Sequence, residues 1–452
     1  MLIESISGIR ATIGDSLTPS HVVDYAAAFA QRVENGTIIL GRDSRVSGKA
    51  ISDIFARTLQ WMGLNVIDIG IVPTPTVQLM VELLNAQGGI VITASHNPFP
   101  WNGIKFIDKT GLFLDADQVA AVLKNKKEKT WTFKTSGEFG GYMEKLGAID
   151  IHINNVMAIT YVNVKAIRAR KFKVVIDAVN GGGSIALPAL LDALGCEVIE
   201  VNCVPDGYFP HTPEPLPENL TDLLDTVKKH KADIGLAVDP DADRLAVVDE
   251  KGNYLSEEYT LVMSVDTVLS QCKIPDPKVV TNLSTTLAVN DVAKKYGAEV
   301  LRTAIGEINV SKKMKEIGAV IGGEGNGGII SPDSHLGRDS LVGAAMVLQF
   351  LATDARPLSK KYADLPQYKM SKKKIEIAGH DPEEILATLK EKFAAENTNT
   401  VDGLKISGQN SWVHMRKSNT EPIMRVYSEA PTAEEANALG EQFLNEIKNL
   451  MG

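Results

Sequence analysis

One pattern of strands and helices recurs three times along the chain, and it limits the possible folds more than any composition does. In the first copy, strand TIIL runs through Gly41-Arg42-Asp43-Ser44 into helix ISDIFARTLQWM. Gly63-Leu64-Asn65-Val66 then opens strand VIDIG, followed by helix TVQLMVELL and strand GIVIT. The second copy reads strand KVVIDAV, a loop of Gly181, Gly182 and Gly183, helix ALPALLDAL, the segment Gly195-Cys196-Glu197-Val198, helix TDLLDTVKKH and strand DIGLAV. The third reads KVVT, LAVNDVAKKY, Gly297-Ala298-Glu299-Val300, INVSKKMKEI and AVIGG. Apolar strands alternating with helices need cover on both faces of a sheet, which is the α/β class. Such sheets bind ligands beyond the ends of their strands. The loops that follow the last strand of each copy, TASHNP, DPDADR and GEGNGG, are therefore predicted to converge on one cleft.

After Pro357 the pattern changes. MSKKKIEI, WVHM, IMRVYSEA and a long final helix predict a fourth, α+β unit. Expected domains are 1–152, 153–253, 254–362 and 363–452. A chain of 452 residues, 44% hydrophobic and 23% charged, is long enough for them. The net charge of −9 disfavours a nucleic-acid partner and means that an anionic substrate must be met by local basic clusters. Three cysteines without CxxC spacing suit a reducing compartment and are expected to be buried small hydrophobes. The amino terminus lacks a signal-like pattern and no apolar run is long enough for a membrane span, so a cytoplasmic, soluble protein is expected.

The loops carry the chemistry. Ser95 follows an apolar strand but lies outside any GxSxG elbow, and by itself it suits a helix cap or turn as well as a reaction. Lys105, beyond the Asn102-Gly103 turn, is placed to return toward it as a cation or a proton-transfer group. Asp239, Asp241 and Asp243 alternate after IGLAV, and three carboxylates this close call for a cation among them. Hard oxygen ligands suit Mg²⁺ or Ca²⁺. An EF-hand is excluded because Arg244 stands where its tight turn needs glycine. A phosphatase with Asp239 as nucleophile stays open. GEGNGG offers Glu324 and Asn326 on a backbone that a ligand can approach closely. Arg416, Ser418, Asn419, Thr420 and Arg425, in a loop between two strands, supply the guanidinium, hydroxyl and amide donors that a phosphate monoester needs.

Together with SGIR, GRDSR, Pro73-Thr74-Pro75 and HTPEPLPENL, these motifs make the chain resemble the α-D-phosphohexomutase family over nearly all of its length. The resemblance implies three similar α/β domains with mixed sheets and a fourth, TATA-binding-protein-like α+β domain, arranged in a heart shape around a central cleft. It also implies that Ser95 carries a phosphoryl group and that Mg²⁺ links it to Asp239, Asp241 and Asp243. The implied reaction passes that group to a hexose monophosphate, giving a hexose 1,6-bisphosphate that turns around and returns its other phosphate. Lys105 and His96 are then the proton-transfer candidates, and Arg10 and Arg244 stabilise the moving phosphoryl. Glu324 and Asn326 grip sugar hydroxyls, while Arg416, Ser418, Asn419, Thr420 and Arg425 hold the second phosphate. The partners expected are small hexose phosphates, bound by a monomer or homodimer.

The departures concern the sugar. The commoner bacterial sugar loop is Gly-Glu-x-Ser-Gly-His, but Asn326 and Gly328 stand in its Ser and His places, as in the archaeal-type phosphoglucosamine mutase branch. His335 is either the source of the missing imidazole or a surface-loop histidine, and Ala11 replaces a common glycine. Glucosamine phosphate is the expected substrate, ahead of mannose and glucose phosphates.

Overall fold

The computed structural model of the chain describes every residue except 34, 378, 419–422 and 452. The three copies form three sheets with the same four-strand topology. In each, the first strand lies between the second and the last, parallel to both, and a return strand pairs antiparallel with the last. In chain order the strands are Thr37–Arg42, Asn65–Ile71, Gly88–Ile92 and Trp101–Asp108 in the first sheet. They are Lys173–Asp177, Glu197–Val201, Ile234–Val238 and Leu245–Asp249 in the second, and Lys278–Asn282, Glu299–Thr303, Ile321–Glu324 and Gly328–Ile330 in the third. Leu2–Ser5, Gly8–Thr12 and Tyr142–Glu144 extend the first sheet to seven strands. The sheets are thus mixed, as expected. TASHNP, DPDADR and GEGNGG fall at equivalent hairpins, each between the last strand and its return.

The second and third sheets share one core. Val174, Ile176 and Leu236 of the former and Val279 and Ile321 of the latter belong to a single apolar cluster. Helices Glu257–Leu269 and Ser340–Ala352 supply much of the rest. Ser340–Ala352 is buried from Ser340 to Leu351, which its nearly all-apolar sequence requires. Asp339 starts it by accepting from the amides of Leu341 and Val342. At about 1.5–3 kcal/mol for each large apolar side chain buried, this shared core holds the DPDADR and GEGNGG loops in register.

The carboxy-terminal unit has an antiparallel sheet in the order Lys369–Glu376, Ile423–Ala430, Trp412–Lys417, Leu404–Ser407, Thr398–Asn399. Helices Pro382–Lys392 and Ala433–Met451 cover it around Leu389, Val413, Val426 and Ile447. It docks on the third unit, beyond the ends of its first two strands, with Leu287 N–H donating to Glu429 (2.8 Å) and Ile305 N–H to Asp402 (2.9 Å). The cysteines, expected to be buried, are half-buried free thiols packed against the core. Among the described residues, no helix is long and apolar enough to cross a membrane.

Candidate active site

Ser95 sits 1% exposed at the hairpin tip with φ +50°, a left-handed conformation that costs a non-glycine residue on the order of 1–3 kcal/mol. Its neighbours over-determine it. Its amide donates to Thr93 Oγ1 (2.9 Å), and its carbonyl accepts from Arg45 Nη2 (2.6 Å). Arg45 is buried and spends all five side-chain donors: Nε on Asp43, Nη1 on the carbonyls of Pro98 and Trp101, and Nη2 on those of Ser95 and Asn97. Asp43 in turn accepts from Thr93 Oγ1 at 2.6 Å. GRDSR is legible as a motif in the sequence, but no role for Arg45 is, because the four carbonyls it holds lie 50 to 56 residues away.

The metal-loop carboxylates face Ser95 across 144 residues of sequence, with Ser95 Oγ donating to Asp239 Oδ2 at 3.0 Å. All three carboxylates are buried, and one oxygen from each lies within 4.8 Å of the others. At least one oxygen of each carboxylate accepts from neighbouring donors. Asp241 Oδ2 takes Thr74 Oγ1 and Lys105 Nζ, both at 2.7 Å. Asp243 Oδ2 takes Lys105 Nζ (3.2 Å) and Arg338 Nη2 (2.8 Å), while Asp239 Oδ1 takes the amides of Asp243 and Arg244. Among the described residues, Asp241 Oδ1 and Asp243 Oδ1 have no hydrogen-bond partner. Two buried carboxylate oxygens without a hydrogen bond, beside a third that accepts from the Ser95 hydroxyl, form a donor set that fits a hard divalent cation. Burial and its two acidic neighbours push Asp239 well above the usual carboxylate range. Burial also acts to raise Asp241, but Lys105 overrides it and holds that carboxyl well down.

The expected basic residues ring this cluster. Lys105 is wedged between Asp241 and Asp243, whose charges outweigh its burial and raise its affinity for a proton. His96 Nδ1 lies 3.3 Å from Ser95 Oγ, and burial, reinforced by Arg244 and Arg10, holds its ring well below the usual histidine range. Arg10 reaches Asn97 Oδ1 at 2.7 Å and counts Arg244 among its charged neighbours. Arg244 Nε stands 3.7 Å from Asp243 and 3.9 Å from Asp239.

In the sugar loop, Glu324 is buried. Its carboxylate accepts from Asn282 Nδ2 (2.7 Å), Gly306 N–H (3.0 Å) and Arg338 Nη1 (3.0 Å). Asn326 is half-buried and its side-chain oxygen accepts from the Gly328 amide. His335 corrects both expectations made for it, since it is neither a surface residue nor a free imidazole. It is 2% exposed, with Nε2 on Asp339 (3.1 Å) and Nδ1 accepting from Gly337 N–H (3.1 Å). His152 Nε2 shares the same Asp339 oxygen at 2.7 Å. Arg338 and Thr74 also touch the triad, although sequence reasoning gave neither a role.

In the carboxy-terminal hairpin, Arg416 and Arg425 are directly opposed partners on adjacent strands. Opposed like charges destabilise a sheet unless an anion comes between them. Burial is the main cause of the lowered Arg416 pKa, with Tyr427 and Asp402 opposing it and Arg425 adding to it. Ser418 follows the strand that ends at Lys417, whereas Asn419 and Thr420 lie outside the described residues.

A serine hydroxyl on a buried triad of acids, ringed by Lys and Arg, is the equipment of a metal-assisted phosphoryl-transfer enzyme. Comparisons with known proteins give the family. Its profile described as phosphoglucomutase/phosphomannomutase, alpha/beta/alpha domain I, matches residues 3–132. Domain II matches 150–252, domain III 256–368, and the C-terminal domain 371–446. A phosphoglucomutase/phosphomannomutase of Thermococcus kodakarensis is 37% identical over 95% of this chain and 94% of its own. A probable phosphoglucosamine mutase of Methanopyrus kandleri is 34% identical over 98% and 97%. The solved phosphoglucomutase/phosphomannomutase family protein of Burkholderia thailandensis superposes with TM-score 0.87 at 28% identity, over 99% of this chain and 98% of that one. The chain belongs to the phosphoglucomutase/phosphomannomutase family. It is a hexose phosphate mutase, an isomerase that works by intramolecular phosphoryl transfer.

Proposed function

We propose that the chain interconverts glucosamine 6-phosphate and glucosamine 1-phosphate through a phosphorylated Ser95 and a hexose 1,6-bisphosphate. The carrying observation is the Ser95 hydroxyl, 3.0 Å from Asp239 within the buried triad. Asp239, Asp241, Asp243 and the Ser95 oxygen would hold Mg²⁺, which when bound neutralises phosphoryl charge. In the transfer, the bond between Ser95 Oγ and phosphorus breaks as one forms to a free sugar hydroxyl. That hydroxyl's proton needs an acceptor and the departing Ser95 oxygen needs a donor; His96, 3.3 Å from Ser95 Oγ, is assigned to take the proton from the one and pass it to the other. Lys105, ion-paired with two acids, acts as a fixed cation, and Arg10 and Arg244 meet the equatorial oxygens. Return of the bisphosphate's second phosphate to Ser95 completes the exchange and conserves the phosphoenzyme.

Glu324 and Asn326 are assigned to sugar hydroxyls; three donors leave Glu324 room for one more. Arg416, Ser418, Asn419, Thr420 and Arg425 are assigned to the phosphate not being transferred. Replacing Arg416 or Arg425 with Ala is expected to raise KM for the sugar phosphate about tenfold or more with little loss of kcat. Steady-state kinetics check this, and an unchanged KM in both variants removes the assignment. The glucosamine preference draws on the Methanopyrus relative's name and on the sugar-loop departures. Its test supplies Mg²⁺ and a trace of hexose 1,6-bisphosphate, then follows 6-phosphate and free phosphate from glucosamine, mannose and glucose 1-phosphates. The highest kcat/KM is expected for glucosamine. A preference for another sugar corrects the substrate, and free phosphate without 6-phosphate overturns the mutase reading.

A further inference from the structure

Arg338 makes three ion pairs with carboxylates from three different elements. Nη2 holds Asp243 of the metal loop at 2.8 Å, Nη1 holds Glu324 of the sugar loop at 3.0 Å, and Nε holds Glu307 at 2.9 Å. Glu307 opens the helix Glu307–Ile317, and its other oxygen accepts from Gln78 Nε2 (3.1 Å) of the helix Thr74–Leu83, so the network reaches all three repeated units. Arg338 is 8% exposed. Its backbone is equally fixed, because the next residue, Asp339, caps the buried helix Ser340–Ala352 and accepts from two buried histidines. A planar fork with donors in fixed directions joins carboxylates in one geometry, which a flexible ammonium does not.

The route of the side chain explains a departure in the sugar loop. A Cβ on Gly328 would lie 2.2 Å from Cδ of Arg338, 2.8 Å from Cγ and 3.2 Å from Cβ. The room that a side chain at position 328 would enter is already filled by the stem of Arg338. The two positions are sterically exclusive, although ten residues separate them.

We propose that Arg338 is a positioning residue that locks the metal-loop acid Asp243 and the sugar-loop acid Glu324 into one rigid unit, and that Gly328 is glycine to admit it. The inference rests on the mutase reading above, since it takes Asp243 for the metal and Glu324 for the sugar. Arg338 takes Oδ2 of Asp243, while Oδ1, among the described residues, has no hydrogen-bond partner and stays available as a ligand. Holding one oxygen of Glu324 sets where its remaining lone pair points.

The test is a double-mutant cycle between the two positions, read both by kinetics and by calorimetric titration with Mg²⁺ alone. Gly328→Ala in the otherwise native chain should displace the guanidinium. It is expected to lower kcat about tenfold or more, to raise KM for the sugar phosphate through the released Glu324, and to weaken Mg²⁺ binding through Asp243. In an Arg338→Ala background the same change should cost less than about twofold, because the obstructing stem is gone. Equal losses in both backgrounds, or no loss in either, overturn the proposal. If Arg338→Ala does not fold, Arg338→Lys keeps a cation among the acids but lacks the fork; unchanged kcat and Mg²⁺ affinity in that variant also overturn it. The calorimetric arm needs no turnover. Failure of the native chain to isomerise a sugar phosphate would therefore count against the mutase reading, while the Mg²⁺ titrations still decide the role of Arg338.

Discussion

Replacing Ser95 with Ala is expected to abolish mutase turnover, by about a thousandfold at least, while leaving the fold in place. The loss follows from the proposed phosphoenzyme, because without Oγ the carried phosphoryl group has nothing to bond to. Little else should suffer. Among the described residues the hydroxyl bonds only to Asp239 and His96, and one such hydrogen bond is worth about 1 kcal/mol. The left-handed backbone at this position is no worse for alanine, as Ala242 holds φ +52° in the neighbouring metal loop. Circular dichroism and thermal melting should therefore track the native chain. Hexose 1,6-bisphosphate bearing radiolabelled phosphate should label the native protein and not the variant. A Ser95→Ala variant with near-normal turnover would remove the phosphoserine from the mechanism and reopen the case for an acid nucleophile. Asp239 is poorly set up for that role, since its Oδ1 is bound by two backbone amides and its Oδ2 by Ser95.

What the sequence made legible was whatever is written over short range. Apolar strands such as Ile234–Val238, buried at every residue, alternate with helices at spacings that permit only a layered α/β arrangement. Equivalent positions in the repeat put the three loops at equivalent hairpins, so their convergence could be argued without coordinates. Ser95, Lys105 and the three acids were recognisable because each belongs to a compact motif, and the structure brings them within hydrogen-bonding range. The supporting contacts are written over long range, and no local pattern encodes them. Arg338 reaches Asp243 across 95 residues, and Thr74 reaches Asp241 across 167. The misreading of His335 has the same origin. SHLGRDS reads as a polar surface loop, yet Asp339 must cap a buried helix, and that requirement draws His335, Arg338 and Ser340 inside with it. A departure such as Gly328 becomes intelligible only when the stem occupying its space is seen.

Arg45→Ala is expected to damage both stability and catalysis, and comparing it with Arg45→Lys separates the two effects. The alanine variant leaves Asp43 fully buried without its ion-pair partner, a loss of about 3–5 kcal/mol for a buried pair broken on one side. It also strips donors from the carbonyls of Ser95, Asn97, Pro98 and Trp101, the frame that keeps Ser95 in its strained conformation. Relaxation of that loop by about 1 Å would take Oγ off the line of attack and cost about a hundredfold in kcat. Lysine would still neutralise Asp43, but its three donors radiate from one point and cannot span four carbonyls and a carboxylate. Arg45→Lys should therefore recover most of the stability in a urea melt and little of the turnover. If lysine restored both, the guanidinium would be acting only as a counter-charge. The geometry argues otherwise, because four of its five donors are spent on the backbone of the loop that carries Ser95 and one on the acid beside it.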